Sequence, residues 1–239
     1  MSLNGQTVIV VGGGSGIGRA VASAASEAGA RVVLAGRRAA ALAASAATMP
    51  GPVGTEVLDL ADERQVAAFF DRVGPFHHLV CTASQGAAGR VTALEAPAVA
   101  QAFGAKLWGP LFLAKHGAQH VARDGSFTFF SGIRADRPAP GASVTSLVNG
   151  GLEAFARALA VELAPVRVNV LSPGIVDSGA FWDRLGADSR DRLFADFSRR
   201  APAGRVGRVE EQAQTVLHCL VNPFLTGAVL PVDGGARLV

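Results

Sequence analysis

Three glycines, Gly12, Gly16 and Gly18, form a G-x-x-x-G-x-G pattern between an apolar, β-branched segment and a helical one. The first glycine permits a tight turn, and the later ones let the backbone approach a pyrophosphate at a helix N-terminus. The pattern alone is a weak signal, because a tight strand–helix turn that binds nothing would also satisfy it. Its position near the start of an α/β chain favours a dinucleotide site, to which we also assign Ser15 and Ile17.

The end of the next predicted strand bears on which dinucleotide is bound. Sites for NAD(H) place a carboxylate near this point, where it accepts hydrogen bonds from the ribose hydroxyls. Here Gly36 is followed by Arg37 and Arg38, and a guanidinium suits the 2′-phosphate of NADP(H). We therefore expect NADP(H) to be preferred over NAD(H), with one of the two arginines facing solvent.

Strand and helix signals alternate along the whole chain, and these elements would position the glycine turn. The predicted strands are Thr7–Val11, Arg31–Ala35, Thr55–Leu58, His78–Cys81, Ser126–Phe130, Arg167–Leu171 and Val229–Val232. The predicted helices are Gly16–Ala28, Ala39–Thr48, Glu63–Val73, Pro97–His116, Val144–Leu163 and Glu210–Val221. Such alternation implies parallel strands joined by right-handed crossovers. The sequence predicts a single-domain α/β Rossmann fold over residues 1–239, with a doubly wound seven-stranded parallel sheet and helices on both faces.

The least regular stretch, about 177–206, is predicted to be a lid or substrate segment. Its length exceeds that of an ordinary connection. Its aromatic residues either line a hydrophobic pocket or anchor the segment on the core. They are Phe181, Trp182, Phe194 and Phe197.

Composition excludes several classes of protein. Apolar residues make up 49% of the chain and charged residues 17%, which fits a sheet buried on both faces. No apolar run reaches the roughly 18 residues of a membrane span, and the N-terminus lacks a secretory signal pattern. We therefore expect a cytoplasmic protein with Cys81 and Cys219 reduced. The scattered arginines argue against nucleic acid as a partner, no spacing predicts a metal, and His77 and His78 are predicted to form a loop pair.

Several ordered segments resemble the short-chain dehydrogenase/reductase family along essentially the whole chain. They are the glycine turn, Asp59-Leu60 after the third strand, Pro173–Ser178 and Thr226–Gly235. The resemblance implies a nicotinamide cofactor, a small-molecule carbonyl or alcohol substrate, and a homodimer or homotetramer. Together with the arginines, the cofactor-binding residues it implies are Gly12, Ser15, Gly16, Ile17, Gly18, Arg37, Arg38, Asp59, Leu60, Thr82, Ala83, Ser84, Pro173, Gly174, Ile175 and Ser178.

The chain departs from this family in the residues that move the proton. The family uses a Tyr-x-x-x-Lys pair, but the chain contains no tyrosine, and the slot runs from Thr145 to Asn149. The family's helical asparagine is replaced by Lys106, whereas a serine after the fifth strand is retained as Ser131. These four residues are the catalytic candidates. A threonine hydroxyl is a far weaker acid than a phenol, so the lost proton transfer is expected to cost about 10²–10⁴-fold in rate.

Lys106 and Asn149 look like a reciprocal exchange of the family's asparagine and lysine. Either Lys106 brings an ammonium near the nicotinamide ribose or the substrate carbonyl, or it points to solvent or a helix partner and the exchange is coincidental.

Two functions remain open. One is an NADP(H)-dependent oxidoreductase that acts on a carbonyl or alcohol with altered proton-transfer machinery. The other is a catalytically inactive NADP(H)-binding scaffold or sensor. A hydride-free reaction on the same fold has no substitute nucleophile or base in this sequence.

Overall fold

The computed structural model describes residues 2–183 and 185–239, and within them seven parallel strands form the central sheet. In chain order these are β1 (Thr7–Val11), β2 (Arg31–Gly36), β3 (Val53–Val57), β4 (Phe76–Cys81), β5 (Val121–Phe130), β6 (Arg167–Pro173) and, after two short strands, β9 (Val229–Val232). Their spatial order is β3-β2-β1-β4-β5-β6-β9. The order reverses between β1 and β4, which is where ligands bind in open α/β sheets.

Helices cover both faces of this sheet. In chain order, the helices of the described residues are α1 (Gly16–Glu27), α2 (Ala39–Ala46), α3 (Glu63–Val73), α4 (Ala96–Phe103), α5 (Gly109–Gly117), α6 (Ser143–Glu162), α7 (Ala180–Asp183), α8 (Ala187–Arg200) and α9 (Val209–Val221). Along β1, Ile9 and Val11 join the core cluster beneath α3, α5 and α6, whereas Val8 and Val10 join the cluster beneath α1 and α9. Both faces of the strand are therefore buried, as its uniformly apolar sequence requires. The predicted fold class is confirmed.

The long helix predicted over Pro97–His116 is interrupted. A π-helical turn, Gly104–Trp108, separates α4 from α5. Pro110 lies in the first turn of α5 and has no backbone N–H to donate to the carbonyl four residues earlier. The uninterrupted helix is therefore wrong, and Pro110 is the physical reason. Such π turns are frequent at functional sites, and this one carries Lys106.

Residues 177–206 contain α7 and α8, and two short strands join the ends of this segment. These are β7 (Val176–Asp177) and β8 (Gly207–Arg208). Of its aromatic residues, Phe197 is buried against Ala201 and Ala236 and so anchors α8 on the domain. Trp182 donates a hydrogen bond to the Val176 carbonyl at 2.6 Å. The Phe181 side chain lies outside the described part of the chain, and a lid role stays a prediction.

The predicted strand His78–Cys81 is observed, but β4 begins two residues earlier at Phe76, so the prediction that His77 and His78 form a loop pair is wrong. His77 Nδ1 accepts a hydrogen bond from the Thr7 backbone N–H. His78 is buried, and its two ring nitrogens lie 2.9 Å from Ser126 Oγ and Gln6 Oε1. These side chains satisfy the imidazole inside the sheet, which is why a polar residue is tolerated there.

Acid should destabilise the protein through His78. Burial, helped by the charges of Arg167 and His77, lowers the pKa of His78 from 6.5 to about 4. Between these values the unfolded chain binds a proton that the folded chain does not. The free energy of unfolding is therefore expected to fall by up to about 3 kcal/mol as the pH drops from about 6.5 to about 4. Urea denaturation of the wild type and of His78→Asn at neutral and acid pH checks this. An equal acid loss in both proteins would contradict it.

Candidate functional site

The glycine turn leaves β1 at the edge of the sheet where the strand order reverses. Gly12 has a φ of +89°, in the left-handed region that favours glycine. A Cβ on Gly18 would overlap the backbone oxygen of Gly12 and would lie 2.6 Å from Thr82 Oγ1. A side chain at position 18 would therefore fill the space between the turn and the start of α1.

The N-terminus of α1 opens beside this turn. Ser15 is the N-cap residue, and within the described part of the chain its side chain makes no capping hydrogen bond. The free backbone N–H groups and the positive end of the helix dipole suit an anion. The Arg38 guanidinium reaches this point, with Nη2 3.5 Å from Ser15 Oγ, and both Arg37 and Arg38 are exposed.

Segments after β4 and β6 border the same turn. A Cβ on Gly12 would lie 3.0 Å from the backbone nitrogen of Ala83. A Cβ on Gly16 would lie 3.1 Å from the backbone oxygen of Ser178. Thr82 Oγ1 donates a hydrogen bond to the Val11 carbonyl. The structure therefore brings Gly12, Gly16, Gly18, Thr82, Ala83 and Ser178 together.

Other predicted cofactor residues turn their side chains elsewhere. The Leu60 side chain is buried in the core beside Gly109, and Ile175 packs against the cluster that contains Phe197. Asp59 Oδ1 accepts from the Ala61 backbone. The remaining predicted cofactor residues are the partly buried Ile17, Pro173 and Gly174 and the exposed Ser84.

Lys106 points neither to solvent nor to a partner on a helix, so that expected orientation is wrong. Its side chain is buried, and Nζ donates to the carbonyls of Phe130 at 2.7 Å and Ser131 at 2.8 Å. Burial lowers the pKa of Lys106 to about 8, against the opposing effects of Cys81 and Glu153. Burial also raises the pKa of the Cys81 thiol to about 11. A buried ammonium whose pKa is lowered to about 8 therefore lies at the carboxyl end of β5.

The Ser131 hydroxyl meets a residue that the sequence analysis missed. Ser131 Oγ donates to Glu153 Oε1 at 2.7 Å, and Glu153 is itself buried. Burial raises the pKa of Glu153, although the hydrogen bond from Ser131 opposes that shift. Glu153 follows Asn149 by four residues in α6, so helical spacing was the signal that could have identified it.

Asn149 faces Gly132 instead of Ser131. Its Nδ2 donates to the Gly132 carbonyl at 3.2 Å, and a Cβ on Gly132 would lie 3.2 Å from that nitrogen. Thr145 Oγ1 lies 3.4 Å from the Ala87 carbonyl. Asn149 Oδ1 is buried and has no hydrogen-bond partner within residues 2–183 and 185–239. A buried acceptor without a donor is costly, so this oxygen is suited to a ligand hydroxyl.

Comparisons with known proteins decide the family. A family model described as enoyl-(acyl carrier protein) reductase matches residues 11–237. A short-chain dehydrogenase/reductase of Stachybotrys chlorohalonatus is 32% identical over an alignment of 255 residues, which covers 99% of each chain. The chain belongs to the short-chain dehydrogenase/reductase family. It is an oxidoreductase of that type.

Further relatives and solved structures are similar to the chain in sequence and fold. Human 3-oxoacyl-[acyl-carrier-protein] reductase is 30% identical, covering 96% of this chain and 97% of its own. The MalC reductase/Diels-Alderase of Malbranchea aurantiaca superposes with a TM-score of 0.91 at 29% identity, covering 99% and 98%. A small-chain dehydrogenase solved in complex with NADPH has a TM-score of 0.83 at 32% identity, covering 98% and 99%.

A nicotinamide dinucleotide, which the short-chain dehydrogenase/reductase fold implies, fits the residues present. The space kept clear at Gly18 and the uncapped start of α1 suit its pyrophosphate. The unpaired Asn149 Oδ1 suits a ribose hydroxyl. In the described residues, no group of three or more His, Cys, Asp or Glu side chains could hold a metal ion. No helix in the same ranges is long and apolar enough to cross a bilayer.

Proposed function

We propose that this short-chain dehydrogenase/reductase binds NADP(H) in preference to NAD(H) and oxidises or reduces a small alcohol or carbonyl substrate with altered proton-transfer machinery. The observation that carries the proposal is the space between the glycine turn and the start of α1, which we call the Gly18 cradle. Only glycine at position 18 keeps this space clear without displacing the Gly12 carbonyl. Arg38 beside Ser15 supports the preference for a 2′-phosphate. The NADPH complex of a relative at 32% identity supports the same cofactor.

The chemistry divides between the cofactor and this chain's own residues. The nicotinamide, when bound, supplies or accepts the hydride. Asn149 Oδ1 orients the cofactor by accepting a hydrogen bond. The Lys106 ammonium, close behind the Ser131 carbonyl, supplies a positive charge that stabilises negative charge developing on the substrate oxygen. Thr145 can orient that oxygen by a hydrogen bond, but its hydroxyl is too weak an acid to provide the proton.

A second candidate is an inactive NADP(H)-binding scaffold or sensor. It is favoured by the loss of both members of the Tyr-x-x-x-Lys pair, and the Asn149 amide offers no charge to replace the lysine. The contacts of Thr145 and Asn149 with backbone carbonyls are compatible with this reading.

Cofactor titration and a substrate panel together test the proposal. Calorimetry is expected to show tighter binding of NADPH than of NADH, and equal or tighter NADH binding would contradict it. A panel of carbonyl compounds with NADPH should give turnover about 10²–10⁴-fold below that of an enzyme with an intact proton donor.

Matched variants identify the residues responsible for any turnover. Lys106→Met should abolish turnover, and Ser131→Ala, which keeps the backbone carbonyl that accepts from Lys106, should only lower it, with NADPH binding retained in both. Lys115→Met, at an exposed lysine paired with Glu63, should change neither turnover nor NADPH binding. NADPH binding without turnover of any substrate would support the scaffold function instead.

A further inference from the structure

Three polar side chains are buried together behind the candidate site. Lys106, Ser131 and Glu153 are 6%, 5% and 7% exposed, so none of them is solvated by bulk water. They come from the π turn, the residue that follows β5 and the middle of α6. The Ser131 carbonyl accepts from Lys106 Nζ, and the Ser131 hydroxyl donates to Glu153. One serine therefore links the buried cation to the buried carboxyl group.

The charges around Lys106 leave Glu153 as its compensating anion. Besides burial, the groups that act on the Lys106 pKa are Cys81 at the end of β4 and Glu153 on α6. Burial raises the pKa of Cys81 to about 11, so this thiol is uncharged at the pH where Lys106 titrates. The charges of Asp136, Arg157 and Lys106 in turn act on the pKa of Glu153. Asp136 and Arg157 are exposed, and solvent screens their effect.

We infer that Glu153 is a positioning residue of this site, whose carboxylate fixes the Ser131 hydroxyl and keeps the buried Lys106 ammonium charged. This inference rests on the proposed function, because it explains how the positive charge used there persists inside the protein. A buried ion that loses its partner is strongly disfavoured, and a lysine escapes the cost by releasing its proton. Without the Glu153 charge, Lys106 is therefore expected to become a neutral amine at a lower pH.

The titration of Lys106 tests the inference directly, because Lys106 and Lys115 are the two lysines of the sequence. Protein labelled with ¹³Cε-lysine gives two lysine signals, which Lys115→Arg assigns. The Lys106 signal should titrate near pH 8 in the wild type. In Glu153→Gln, whose amide oxygen still accepts from Ser131, the midpoint should fall by about 1 pH unit. Glu153→Asp, which keeps the charge, should restore it at least in part.

Thermal unfolding provides a second readout. It remains informative when one single variant is destabilised, because the double variant is compared with both single variants. Glu153→Gln and Lys106→Met should each lower Tm by roughly 6–20 °C, and the double variant should lose clearly less than the sum. Additive losses together with an unchanged Lys106 midpoint would overturn the inference and leave Glu153 with a packing role alone. Neither the titration nor the thermal unfolding measurement requires bound cofactor or turnover. A protein that fails to bind NADPH would therefore refute the proposed function while the titration still decides this inference.

If the protein turns over a substrate, the pH profile extends the test. The acid-side plateau of the rate should extend up to about pH 8, where Lys106 loses its proton. In Glu153→Gln the decline should begin at lower pH. An identical profile in both proteins would count against the inference.

Discussion

Gly18→Ala is expected to weaken NADPH binding by about 100-fold or more. The added methyl group would overlap the Gly12 backbone oxygen and would lie 2.6 Å from Thr82 Oγ1. Neither a carbonyl in a tight turn nor a side chain bonded to Val11 can move aside freely. The start of α1 must therefore shift away from the turn, and a displacement of about 1 Å in a site of demanding geometry costs roughly 100-fold. Isothermal titration with NADPH measures the loss.

Gly150→Ala is the matched control for that substitution. Gly150 lies inside α6, and a Cβ there would have no atom within 4 Å. Alanine is the better helix former, so this variant should be more stable by about 0.5–1 kcal/mol, with unchanged NADPH affinity. Circular dichroism of both variants shows whether Gly18→Ala has lost only the space at the glycine turn or has lost the fold. A folded Gly18→Ala protein that binds NADPH like the wild type would show that the glycine turn is not the phosphate site.

The sheet could be predicted because its local signals are strong and agree with one another. The predicted bounds of β1 and β9 are also the observed ones, since Thr7–Val11 and Val229–Val232 are apolar runs between turn residues. The helix α3 also begins and ends where predicted, between an Asp62 cap and Gly74. Where polar residues enter a strand, the signal is weaker, and the loop pair predicted at His77 and His78 is wrong. His78 belongs to β4 only because Gln6 and Ser126, distant in sequence, satisfy its ring.

The two halves of the candidate site differ in how far the sequence could predict them. The cofactor turn depends on the backbone conformation of consecutive residues, and glycine spacing reports that conformation directly. The proton-transfer half depends on the direction of single side chains. Ser131 meets Glu153 and Gly132 meets Asn149, two residues that lie one turn apart on α6. No local pattern distinguishes these two positions.

The direction of the Lys106 side chain, on a helix, could not be predicted from the sequence either. A regular 3.6-residue period cannot give the direction of a side chain that follows a change to π geometry. The sequence did contain the cause of that change, because Pro110 lies inside the predicted helix. What it could not show is that the carbonyls of Phe130 and Ser131 receive the ammonium.

Arg38→Gln is expected to reduce NADPH affinity about 10- to 100-fold and to leave NADH affinity within about 2-fold. A charged hydrogen bond to a phosphate contributes about 1.5–3 kcal/mol, and the amide cannot replace its charge. Arg38 is the better placed of the two arginines, because its guanidinium already reaches Ser15 at the start of α1. Calorimetric titration of both cofactors measures the change.

Arg31→Gln is the control, because Arg31 is exposed at the opposite end of β2 and should have no effect on either cofactor. Added salt should weaken NADPH binding in the wild type more than in Arg38→Gln, since the lost contact is ionic. Equal weakening of NADPH and NADH by Arg38→Gln would have a different meaning. Arg38 would then support the glycine turn through Ser15, and the preference for a 2′-phosphate would have to come from Arg37.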